Sequence, residues 1–364
     1  MRFDFDELID RVGTHSSKWD TMEEKYGVSA ADGIAMWVAD MDFRPPPAVD
    51  VALKNALKHG VYGYFGDDSN YRSALVEWME RRHNWKVKPD WIVNTHGLGY
   101  AISLCVKSFS KRNEGIIVFS PVYHAFARNI KASGRRLVES PLIKRDGRYF
   151  MDLGGLEEKL RGDEKAILFC SPHNPGGRVW SKDEMLELAQ FCEKHNLILI
   201  CDEVHNDLVF KGKKHFVMAR ENSFNHRIVT LVATTKTFNL AGCMIGSIVA
   251  SDQKLRDRIL RVAKANGGMS FNRIGMLMCT AAWQDGEAWL DSLLVYLDNN
   301  RRIFDEGISC LPGVSSMRLD ATYLCWVDFS GTGLTSQEII RRVQEEAKIA
   351  ANHGATFGTG GDNF

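Results

Sequence analysis

The fold is decided by the stretch Ile228-Val229-Thr230-Leu231-Val232-Ala233-Thr234-Thr235-Lys236-Thr237-Phe238-Asn239-Leu240-Ala241-Gly242. Its first five residues are apolar or β-branched and read as a strand buried on both faces. A lysine follows just past its end. An amine delivered to the carboxyl end of a buried strand loses hydration, its pKa falls, and it can then form a Schiff base with a carbonyl compound.

Outward from this stretch, further apolar runs occupy 116–119, 166–170, 197–201 and 245–250. Residues 181–195 place Met185, Leu188 and Phe191 on one helical face, with Asp183 and Glu184 in the first turn, where the helix dipole favours acids. Near-continuous apolar strands separated by helices predict an α/β fold around a parallel sheet, with ligands outside the carboxyl ends of its strands. The last third differs. Residues 296–308 read as a charged helix, 323–329 as a half-buried strand and 336–351 as a second amphipathic helix. The pattern predicts a large domain over 45–276 and a smaller α+β domain assembled from 1–44 and 277–364.

Lys plus Arg and Asp plus Glu number 46 each, so no basic field draws nucleic acid or an anionic membrane. The partners expected are a small molecule and further copies of the chain. Acidic residues fill the start, Met1-Arg2-Phe3-Asp4-Phe5-Asp6-Glu7, where a signal peptide would carry basic ones, and no apolar run reaches membrane-spanning length. The location expected is the cytoplasm. Eight cysteines lie scattered without a Cys-x-x-Cys pair and read as reduced, buried thiols; no metal site is expected.

Three other polar clusters also follow apolar runs. Asp202 follows the run Leu197-Ile198-Leu199-Ile200-Cys201 and could pair with a protonated pyridine nitrogen. Asn174 lies in the loop Ser171-Pro172-His173-Asn174-Pro175-Gly176-Gly177, stiff enough to aim an amide donor at a phenolic oxygen; its bond to Pro175 is a candidate cis peptide. Tyr123, in Ser120-Pro121-Val122-Tyr123, could lie over a ring. A fourth element, Thr95-His96-Gly97-Leu98-Gly99, opens a helix whose N-terminal amides suit phosphate. With Lys236, these groups meet the requirements of pyridoxal 5'-phosphate.

The ordered set Gly97-Leu98, Tyr123, Asn174-Pro175, Asp202 and Lys236 resembles the fold-type I, pyridoxal phosphate dependent class I/II aminotransferase superfamily. More narrowly, the chain is similar to its MalY/PatB-type cystathionine β-lyase branch. That likeness runs through Gly13-Thr14-His15-Ser16-Ser17-Lys18-Trp19-Asp20, Met36-Trp37-Val38-Ala39-Asp40-Met41-Asp42-Phe43, Tyr62-Gly63-Tyr64 and Asp202-Glu203-Val204-His205. The resemblance implies a mostly parallel seven-stranded sheet in the large domain. It implies Lys236 as the Schiff-base residue, Asp202 on the ring nitrogen, Asn174 and His205 beside the ring and Tyr123 stacked on it. It also implies Tyr64 lent across a homodimer to the phosphate.

Three departures stand out. Met244 occupies the position, eight residues after the lysine, where many aminotransferases carry a phosphate-binding arginine. Ala233 replaces a frequent hydroxyl three residues before the lysine, leaving Thr234 or Thr235, of which Thr235 is counted with the cofactor set. The sequence also ends at Phe364, ahead of the arginine that holds the substrate carboxylate in that family; the expectation is a shortened C-terminal part, or a carboxylate held by another group. The implied reaction is cleavage of L-cystathionine or a related cysteine S-conjugate to a thiol, pyruvate and ammonia. Transamination is the alternative, and a cofactor-binding regulatory protein with little turnover the second.

Overall fold

The structure is a computed structural model and describes residues 3–268 and 270–364. At its centre lies a seven-stranded sheet: β1 Ile92–Thr95, β2 Gly115–Ser120, β3 Arg136–Pro141, β4 Glu164–Cys170, β5 Ile198–Asp202, β6 Ile228–Val232 and β7 Gly246–Val249. The strand order is β1-β7-β6-β5-β4-β2-β3. Neighbours from β6 to β3 are parallel, while β7 runs antiparallel to both β6 and β1.

Five strands coincide with the apolar runs. The two that do not, β1 and β3, are the sheet edges, where pairing on one side only relaxes the demand for a continuous apolar run. Thus β1 carries Asn94 and Thr95, and β3 is largely half-buried and carries Arg136 and Glu139.

Alternation along the strands explains why the sheet must be covered twice. Ile116, Val118, Leu168, Ile200 and Leu231 enter one apolar cluster with residues of α3 (Gly97–Phe109) and α5 (Gln253–Ala265). Ile117, Phe119, Ile167, Phe169 and Leu199 enter the other, against α2 (Ser69–His83), α4 (Lys182–Lys194) and α6 (Arg273–Asp285). Helix α4 begins at a capping box. Ser181 accepts from the Glu184 amide at 3.2 Å, and the Glu184 carboxylate accepts from the Ser181 amide at 2.8 Å.

Outside the sheet, α1 (Pro47–His59) follows the N-terminal segment and the long α7 (Glu287–Ser309) follows α6. Ile34–Ala35 pairs in parallel with Ile349–Ala350, joining the two ends of the chain. Two expectations contract here. The strand expected at 323–329 is only Val327–Asp328, paired with Ser315–Ser316. The helix expected over 336–351 ends with Ser336–Arg341 and a wide turn Arg342–Glu346. Lys348 adopts a left-handed φ of 54°, which breaks the helix, and the next two residues are taken up by the pairing with Ile34–Ala35. Among the described residues no helix is long and apolar enough to cross a membrane. All eight cysteines are unpaired and six of them are buried.

Candidate functional site

Lys236 sits in the single-turn helix Thr234–Thr237, which follows β6 directly. Both threonines flanking the turn are tied down: Thr234 donates to Cys279 Sγ at 3.0 Å and Thr237 donates to Asp207 Oδ2 at 2.8 Å. Asp207 is itself buried and also accepts from the Trp78 indole at 3.1 Å and pairs with His83 Nε2 at 2.7 Å. With its base fixed, the Lys236 side chain runs to the carbonyl of Ala39 and donates to it at 2.6 Å. Burial lowers the pKa of this amine, while Asp40 and Asp202 pull the other way.

Asp202 is the last residue of β5 and lies in register with Cys170 at the end of β4. Its carboxylate accepts from the Val204 amide at 3.2 Å and forms no ion pair among the described residues. Burial raises its pKa to about 6; the Val204 amide and the Lys236 charge act against that rise. A buried carboxylate without a cation is costly, and it suits a ligand that brings a positive nitrogen.

The loops after β2 and β4 meet beside it. The Tyr123 amide donates to the Asn174 carbonyl at 3.1 Å, and the Asn174 amide donates to Cys170 Sγ at 3.3 Å. Peptide bonds preceding Pro121, Pro172 and Pro175 are cis, the last as anticipated. Burial and the charge of Asp202 raise the Tyr123 pKa, so its phenol keeps its proton. His205 is buried, its Nδ1 has no hydrogen-bond partner, and burial and the nearby Lys236 lower its pKa to about 3.

At the far end of the site, Gly97 opens α3 with a left-handed φ of 75°. Space is short around this turn: a Cβ on Gly246 would come within 2.7 Å of the Leu98 side chain and 3.2 Å of the Gly97 carbonyl carbon. Met244, also left-handed at φ 53°, lies against Gly97 and adds no charge. Thr235 is half-buried one residue before the lysine. Tyr64 stands apart from these groups. It is 93% exposed and, with Tyr62, lines an open groove of ≈ 350 Å³ against Phe271, Asn272 and Arg273.

The sequence reading missed several groups. The Tyr323 hydroxyl donates to the Ala39 carbonyl at 3.0 Å, so a phenol and the lysine amine share one acceptor. Asn239, at φ 58°, binds Met41 and Phe43, and Arg11 and Lys18 bind Asp40 and Asp42. Only the motifs 13–20 and 36–43 signalled this region, and neither spacing indicates that they fold against Lys236.

The fold and site together define an α/β protein with a buried amine, a buried uncompensated carboxylate and a glycine-opened helix N-terminus after the strands of its sheet, equipment for holding a small anionic ring compound. Comparison with known proteins makes the membership specific: the family model for aminotransferase class I and II matches residues 32–364, and the chain belongs to that family. Cystathionine beta-lyase PatB of Bacillus subtilis (strain 168) is 38% identical over 364 residues, covering 99% of this chain and 93% of that protein. A solved PLP-bound putative aminotransferase from Clostridium difficile 630 matches with a TM-score of 0.96 and 38% identity, covering 100% of this chain and 94% of the other. Cystalysin from Treponema denticola, solved with pyridoxal 5'-phosphate, matches with a TM-score of 0.95 and 34% identity, covering 100% and 93%.

Proposed function

We propose that the protein is a pyridoxal 5'-phosphate dependent carbon–sulfur β-lyase that cleaves L-cystathionine or related cysteine S-conjugates to a thiol, pyruvate and ammonia. The observation that carries the reading is the pair formed by Lys236, a buried amine of lowered basicity, and Asp202, a buried carboxylate with no cation of its own. The likeness to PatB and to cystalysin supports the choice of a lyase.

When bound, the cofactor supplies a carbonyl that condenses with amines and a cationic ring that accepts electrons. Lys236 Nζ would hold that carbonyl and, as a free amine, would take the substrate α-proton. Asp202 would keep the ring nitrogen protonated. Asn174 would donate to the ring oxygen, Tyr123 would pack against the ring and His205, a neutral imidazole, would lie beside it. The Gly97-Leu98 amides and Thr235 would hold the phosphate, with Tyr64 from a second copy of the chain. The large unit 45–276 carries all of these residues, and the segments 1–44 and 277–364 form the smaller unit. The exposed Tyr62 and Tyr64 beside their open groove support a homodimer. Eight unpaired cysteines fit a reducing compartment such as the cytoplasm.

Borohydride reduction followed by peptide mapping should tag Lys236, and purified protein should release thiol and pyruvate together from cystathionine without a keto acid. A tag on another lysine would sink the cofactor assignment. The aminotransferase reading is favoured by the family and by the likeness to the Clostridium difficile aminotransferase; product that appears only with a keto-acid acceptor would establish it instead.

A further inference from the structure

The segment that meets Lys236 is strongly charged. Ala39, whose carbonyl accepts from the Lys236 amine, is followed directly by Asp40. The Asp40 carboxylate is held by both prongs of the Arg11 guanidinium, Nη1 to Oδ1 and Nη2 to Oδ2, each at 3.0 Å. Lys18 is buried, with Nζ 3.9 Å from Asp40 Oδ1, 3.1 Å from the Asp40 carbonyl and 2.6 Å from Asp42 Oδ2. Arg11 also reaches Asp42 Oδ1 at 2.6 Å. Such a planar, two-pronged pair fixes a carboxylate in place and opposes its charge at the same time.

Four titratable groups face the Lys236 amine: Asp40 from this segment, Asp202 from the end of β5, His205 just beyond it, and Tyr323, which shares the Ala39 carbonyl. His205 is neutral, and burial keeps Tyr323 protonated. The charges acting on the amine are therefore those of the two carboxylates, together with the cations that oppose Asp40. In the function proposed above, on which this inference rests, Asp202 is engaged by the ring nitrogen, and Asp40 becomes the anion that decides how tightly Lys236 holds a proton.

We propose that Arg11 and Asp40 set the proton affinity of Lys236, with Arg11 screening Asp40 so that the lysine is presented as a neutral base. A general base must be unprotonated at working pH, and burial alone favours that state. An unscreened Asp40 would oppose it, because a nearby opposite charge favours the protonated amine. Both residues act on the reaction through Lys236 and are positioning residues.

The test uses the full chain freed of cofactor, in which competitive acetylation and peptide mapping across the range where lysines titrate read the Lys236 midpoint directly. Arg11→Gln should raise that midpoint by about one unit. Asp40→Asn should lower it by about half a unit, since the amine loses a nearby anion and Arg11 and Lys18 are then opposed by Asp42 alone. Arg11→Lys, which keeps the charge, should leave it within a few tenths of the parent value. In the loaded enzyme the acid limb of the pH–rate profile should move the same way. Lost activity with unmoved midpoints, or shifts of the same sign in Arg11→Gln and Asp40→Asn, would overturn the proposal. Should Arg11→Gln not fold, Asp40→Asn decides alone: a downward shift supports the proposal and an unchanged midpoint refutes it. Because the midpoint is read without cofactor, an untagged Lys236 in the borohydride experiment would count against the Schiff-base assignment and leave this measurement standing.

Discussion

Asn239, three residues beyond Lys236, grips Met41 by both ends of its side-chain amide: its oxygen accepts from the Met41 amide at 2.9 Å and its nitrogen donates to the Met41 carbonyl at 2.7 Å. The same nitrogen donates to the Phe43 carbonyl at 3.0 Å. The turn that carries the lysine thus holds the segment that the lysine touches, two residues from the Ala39 carbonyl. Asparagine also tolerates the left-handed φ of 58° found there. Replacing Asn239 with Ala removes three hydrogen bonds and leaves a strained backbone, a loss of about 2–4 kcal/mol. Urea unfolding should show it, and Asn239→Gly should recover only the backbone share.

Asp202 gives a prediction with a defined sign. Its folded pKa of about 6 lies above the ordinary carboxylate value of 3.8, so the cofactor-free folded chain binds this proton more tightly than the unfolded chain does. Its contribution therefore destabilises the fold as pH rises between those values, by up to about 3 kcal/mol once it is ionised. Asp202→Asn should make the cofactor-free chain more stable above about pH 6 and nearly neutral in effect below about pH 4. It should also abolish lyase turnover. Thermal unfolding of both proteins across that window checks the sign; equal stability at every pH would show that the carboxylate is compensated in solution.

Asp207 is the opposite case. Burial alone would raise its pKa, but the hydrogen bond and charge of His83 and the bond from Thr237 outweigh burial and lower it. Asp207→Ala would strand the Trp78 indole, His83 and the Thr237 hydroxyl inside the protein. The expected cost is on the order of 3–5 kcal/mol in guanidinium unfolding. A loss below about 1 kcal/mol would mean that other groups or water take over these donors.

Tyr64 is 93% exposed and stands apart from Lys236, Asp202 and Gly97 of its own chain. Sedimentation should show a dimer, and Tyr64→Phe should weaken cofactor retention by roughly three- to tenfold without dissociating it, the size of one hydrogen bond. A monomer that keeps its full complement of cofactor would contradict the assignment of Tyr64 to a partner's phosphate.

Much of the framework was readable along the chain because burial on two faces leaves a one-dimensional record. The runs at 116–119, 166–170, 197–201, 228–232 and 245–250 all became strands, and the 181–195 pattern became α4. That Lys236, Asp202, Asn174 and Tyr123 end or follow closely on buried strands was legible for the same reason. Edge strands β1 and β3 were not, because a half-paired strand tolerates polar residues. The shortened helix at Ser336–Arg341 was set by a pairing partner over three hundred residues away in the chain, at Ile34–Ala35. Tertiary structure alone decided that Ala39 meets Lys236 and Tyr323, that Arg11 screens Asp40 and that Asn239 locks Met41. Periodicity reports which face of an element is dry. It carries no information on which distant carbonyl or carboxylate a buried amine will find, because that pairing arises only when separate elements pack and each polar group they bury must be given a partner.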